Sequence, residues 1–127
     1  MNYTILDASL AGLFELILVV TLLVITVVEW IVMLLMKFST PGKSLLYSFL
    51  ANLASLAAGY IFSRFSIDIG LAGENYSGLL IGYVVSVVIE ALLIQAISKG
   101  IAPKKVWLTS VVMNTVTYIG LFIILNL

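Results

Sequence analysis

An all-α integral membrane bundle of four spans is the fold class this sequence predicts, and three observations predict it. Charged residues make up only 9% of the 127 and hydrophobic residues 63%, against about a quarter charged in a soluble domain. The apolar residues fall into four long continuous runs, without the period-2 alternation of a lipid-facing strand. The charges between the runs divide sharply by sign. A chain this poor in polar side chains could not cover a water-facing surface, so its natural solvent is lipid.

A bilayer core of about 30 Å takes roughly 20 apolar residues in a helix, and each run meets that length. The first predicted span covers about 9–36, between Asp7 and Lys37. It is longer than a bilayer requires and should tilt or project. Asp7 is the expected helix N-cap, with Glu15 near the same interface. No Lys or Arg precedes the run, and it exceeds the roughly 7–15 apolar residues of a signal h-region, so a retained span is expected. The second span covers about 44–62, the third about 77–97 and the fourth about 106–126. Pro41 and Pro103 precede the even-numbered spans and suit the first turn of a helix, where a missing N–H costs nothing.

The connections set the expected orientation. "KFSTPGK" and "SKGIAPKK" hold Lys37, Lys43, Lys99, Lys104 and Lys105, while the middle "SRFSIDIGLAGENY" sets Arg64 against Asp68 and Glu74. Five of the six basic residues therefore share one side. The positive-inside bias makes that side cytoplasmic, predicting a plasma (inner) membrane protein with both termini non-cytoplasmic.

The chain also repeats itself. An offset of 62 pairs Pro41 with Pro103, Lys43 with Lys105, Ser48 with Ser110, Asn52 with Asn114 and Ser55 with Thr117. An offset of 61 pairs Glu29 with Glu90. Matching polar residues carry most of the information here, because chance matches in such a composition are mostly Leu and Val. The pattern predicts one membrane domain of two hairpins, about 9–62 and about 77–127, joined by an outer loop of about 63–76. Each hairpin enters the membrane in the same sense, so the repeat is parallel, with a pseudo-two-fold axis along the membrane normal.

Depth then brings the polar residues together. Glu29 lies eight residues before Lys37, and Asn52 nine after Lys43. At 1.5 Å per residue both lie roughly 12–14 Å into the membrane, and Glu90 and Asn114 reach the same depth. Ser48, Asn52 and Ser55 follow i, i+4, i+7 on one helix face, as do Ser110, Asn114 and Thr117. A Glu at this depth is costly when ionised, so it is expected to face protein or water, and to stay protonated or bond the opposing Asn. Small residues predict packing seams: Gly78, Gly82 and Ser86 leading to Glu90 on the third span, and Ala51, Ser55 and Gly59 on the second.

Composition excludes much. There is no Cys and no His, which removes disulfides, thiolate chemistry, the usual zinc and haem ligands and His-based catalysis. Net charge is zero, so nothing attracts nucleic acid. No enzyme, cofactor or metal centre is expected. The candidate ion or proton site is Glu29 and Glu90 lined by Asn52, Asn114, Ser48 and Ser110, an oxygen donor set suited to protons and hard cations. The competing reading is a Glu–Asn bond that only sets helix register, in a scaffold or accessory subunit of a larger membrane complex. Duplication preserves such glue as readily as a site. Membrane lipids are the expected partners, with a homo-oligomer as a further expectation, and Lys43 and Lys105 are candidate headgroup contacts. Trp30, Trp107, Tyr47 and Tyr76 suit interfacial or packing roles, Gln95 an interfacial hydrogen bond, and Met33 and Met36 filling. A weaker reading runs a polar file from Glu15 through Thr26 to Glu29.

Overall fold

In the computed structural model the described residues are 3–65 and 76–127, with side chains from Ser9 onward except at position 125. They form four helices: α1 (Tyr3–Leu35), α2 (Pro41–Arg64), α3 (Tyr76–Ile97) and α4 (Pro103–Leu125). All four are long and apolar enough to cross a membrane. They form a ring in which α1 packs on α2 and α4, and α3 packs on α2 and α4, with no diagonal pairing among the described residues.

Helix limits correct two expectations. Helix α1 begins at Tyr3, so Asp7 lies within it rather than capping it. The even-numbered helices begin at Pro41 and Pro103, each in the first helical turn, about three residues ahead of the hydropathy limits. Hydropathy stops at the first Lys, whereas backbone hydrogen bonding does not. Of the middle connection, Arg64 closes α2 and is exposed, while Asp68 and Glu74 lie outside the described residues.

The interior is polar and the exterior apolar. Among the described residues, eleven buried side chains are polar or charged and nine are apolar, whereas Phe14, Leu35 and Ile124 are 63%, 78% and 69% exposed. That inverts the arrangement of a water-soluble domain and fits a lipid surround. The apolar core is small and lies at the end carrying the two Lys-rich connections. Val32, Met33, Phe38, Ala51, Ile94, Val106 and Met113 fill it, with Met36 and Tyr47 packed against them.

The first connection is built to support that core. The Phe38 N–H donates to the Met33 carbonyl and the Lys37 N–H to the Leu34 carbonyl, both at 2.9 Å. These two bonds make a Schellman ending to α1, with Lys37 in the left-handed region at φ 49. Its hydrophobic partners, Met33 and Phe38, are both buried. A lysine in this conformation strains its Cβ. Lys37→Gly is therefore expected to raise stability by roughly 0.5–1 kcal/mol, seen as a higher unfolding midpoint in detergent. A lower midpoint would show that the lysine side chain contributes more than its backbone costs.

The Lys105 ammonium closes the same end, donating to the Lys37 carbonyl at 2.7 Å and lying 5.9 Å from the Phe38 ring centre. The Lys105 side chain thus joins the two connections to each other. Lys43 is exposed. The two tryptophans brace neighbouring helices, Trp30 through an N–H to the Pro41 carbonyl at 2.9 Å and Trp107 through an N–H to Gln95 at 3.2 Å.

Candidate functional site

The four stripes of polar residues meet inside the ring. Asn52 donates to Oε2 of Glu29 and, at 3.0 Å, to the Ser48 carbonyl one turn back. Asn114 donates to Oε2 of Glu90 at 2.6 Å and to the Ser110 carbonyl at 3.1 Å. The i−4 carbonyl takes one amide hydrogen and so aims the other at the carboxyl. Both Glu side chains are 1% exposed.

The remaining carboxyl oxygens are reached from the opposite hairpin. Ser55 on α2 donates to Oε1 of Glu90 on α3 at 2.8 Å. Thr117 on α4 donates to Oε1 of Glu29 on α1 at 3.3 Å. Each Glu thus receives an Asn from its own hairpin and a hydroxyl from the other. Each of the four carboxyl oxygens accepts one bond.

These groups line a cavity of about 200 Å³, with Leu18, Thr21, Leu22, Ile25, Leu56, Ser86, Tyr118 and Leu121. Every lining residue lies on the side of the carboxyls away from the Lys-rich connections. Towards those connections the packed core begins within one turn, at Val32, Ala51, Ala91 and Met113. The site is closed at the Lys end and continues into space at the other. No Lys or Arg lines it, so the carboxyls have no fixed countercharge among the lining residues.

Placement differs from expectation at several residues. Ser48 and Ser110 do not line the cavity. They donate to the Thr26 and Val87 carbonyls, each at 2.9 Å, and so tie the two helices of each hairpin together. Ser48→Ala and Ser110→Ala should each cost about 0.6 kcal/mol, typical of an interhelical bond in lipid, and should leave any transport unchanged. A loss of transport in either variant would return that serine to the site. The small-residue seams divide similarly. Gly78, Gly82 and Ala51 are buried, and Ser86 reaches the Tyr118 hydroxyl at 3.1 Å. At Gly59 an added Cβ would meet nothing within 4 Å, so no close approach requires a glycine there. Thr26 is buried with its hydroxyl unpartnered among the described residues and lies off the cavity wall, so no polar file runs through it to Glu29.

Sequence reading missed the carboxyl-binding roles of Ser55 and Thr117 and the presence of Tyr118 and Thr21 in the wall. The signal for the first two was present, because they are paired at the repeat offset and share a face with the asparagines. No protein-family model, curated protein or solved structure matches this chain.

Proposed function

We propose that this chain is a small integral membrane protein that moves protons or cations through the Glu29/Glu90 site. The observation that carries the reading is the charge balance of the cavity. Two buried carboxyls are held by four neutral donors, with no basic side chain in the wall. Burying an uncompensated carboxylate is costly. The compensating positive charge is therefore mobile, a proton or a bound cation, rather than a residue of the wall.

The closed Lys end supports a carrier rather than an open channel, since passage requires the core there to separate. With the Lys-rich connections cytoplasmic by the positive-inside bias, the cavity faces outward in the present conformation. The matched bonds of the two hairpins support a duplicated unit with a pseudo-two-fold axis along the membrane normal. Proton and monovalent-cation flux into liposomes holding the purified protein tests the proposal. Flux above empty liposomes is expected. Its absence in every imposed gradient would leave the network as assembly glue and favour a scaffold subunit. A specific feature makes that second reading worth testing: the side chains of α1 from Leu10 to Ile17 are all exposed, a mostly apolar helical stretch that a partner could cover.

A further inference from the structure

We propose that the carboxyl cavity binds a small organic ammonium ion carrying apolar substituents. The proposal rests on the cation reading above and names its ligand class. The floor and the wall of the cavity have opposite chemistry. At the floor, each carboxyl oxygen accepts one hydrogen bond from Asn52, Asn114, Ser55 or Thr117. A carboxylate offers about four lone-pair sites, so acceptor capacity remains for the N–H groups of an ammonium.

Away from the floor the wall is mostly aliphatic, made by Leu18, Leu22, Ile25, Leu56 and Leu121 with the Tyr118 ring, beside the hydroxyl-bearing Thr21 and Ser86. Those five aliphatic side chains offer no ligand to a hydrated inorganic ion and cannot replace its water. An alkyl substituent packed on them leaves water as the ammonium docks, which is favourable in proportion to the area buried. At about 200 Å³, the cavity falls below the roughly 300–1,000 Å³ of drug-sized pockets. The ligand is correspondingly small.

A route is built into the same wall. A second cleft of about 370 Å³ is lined by Glu15, Leu18, Val19, Leu22 and Leu56, and shares three of those residues with the cavity. Glu15, Leu18, Leu22, Ile25 and Glu29 recur at spacings of three and four, which is one face of α1. That face carries a carboxylate at each end and Leu and Ile between. Glu15 is exposed, whereas Glu29 is buried. An organic cation can be attracted at the first, keep apolar contact along the face, and settle at the second.

The test is calorimetric titration of the protein in nanodiscs of zwitterionic lipid, with empty nanodiscs subtracted. The probes are methyl-, propyl- and pentylammonium, potassium and the neutral pentanol. Affinity is expected to rise roughly threefold to fourfold per added CH2 until the cavity is full, with potassium and pentanol both weaker than propylammonium. The Glu29→Gln/Glu90→Gln variant should lose at least tenfold in propylammonium affinity. Glu15→Gln should weaken it a few-fold at low salt and less at high salt, as an exposed collecting charge would.

Affinity that is flat with chain length, or potassium binding as well as propylammonium, would overturn the organic assignment. Liposome flux of protons or potassium would in that case leave the cation reading standing. Binding unaffected by the Gln pair would overturn the location, and pentanol binding as well as pentylammonium would reduce it to partitioning. The chain-length series uses the unaltered protein, so it decides the ligand class even if the Gln pair proves unstable. Absence of cation binding together with absence of flux would remove the underlying reading as well.

Discussion

Glu29→Gln and Glu90→Gln are each expected to reduce cation or proton flux to the level of empty liposomes while the bundle stays folded. The geometry makes this a clean substitution. Glutamine keeps one carbonyl oxygen to accept from the asparagine of the same hairpin, and its amide N–H can donate to the hydroxyl now bonding the other oxygen. Thr117 and Ser55 can reverse, because a hydroxyl both donates and accepts. Every hydrogen bond of the network therefore survives, and only the ionisable group is lost. Stability should change by no more than about 1 kcal/mol, the net worth of a typical hydrogen bond, and the unfolding midpoint in detergent measures it. Flux that persists in both variants would reduce the carboxyls to structural bonds. A variant that loses flux and fold together would be uninformative alone, so the conservative pair is read beside Ser48→Ala and Ser110→Ala, which perturb the same helices away from the cavity.

The second large effect is expected at the closed end. Met33 is fully buried in the core that blocks the Lys side of the carboxyl pair. Met33→Ala should cost roughly 2–3 kcal/mol, towards the low end of core truncations. Among lipid-surrounded helices there is little transfer difference to lose, and the cost is chiefly the van der Waals contact forfeited by the void. The same void would lie between the cavity and the Lys-rich end. A passive leak of protons or small cations should therefore appear in liposomes, larger than the wild-type flux and less dependent on Glu90. Lower stability without added leak would show that the core serves packing alone and that passage, if any, runs elsewhere.

Much of this is legible in the sequence itself. Each residue in a helix advances about 1.5 Å, so counting from Lys37 and Lys43 places Glu29 and Asn52 at one depth, and their bond in the structure follows from that count. The offset between the two halves did the same for Glu90 and Asn114. Ser48 was harder to place. Its spacing from Asn52 put it on the right helix face, but one turn nearer the Lys end, where a neighbouring backbone carbonyl is closer than the cavity. Gly59 continues a seam by spacing, yet a Cβ added there would meet nothing within 4 Å, so no neighbour requires a glycine. Asp7 had the chemistry of an N-cap, but the helical pattern begins ahead of it.

The sequence by itself determined the four helices, their apolar exterior and the matched depth of two carboxyls and two amides, because composition, run length and helical rise are properties of one chain segment at a time. Only the tertiary structure decided that Ser55 serves Glu90 and Thr117 serves Glu29. That exchange depends on which helices become neighbours across the hairpins, and periodicity along a single helix carries no such information. It also decided that the cavity closes at the Lys end and opens at the other, because side-chain volumes from four helices fill the space around Met33 and Met113 and leave it unfilled around Leu22 and Leu121.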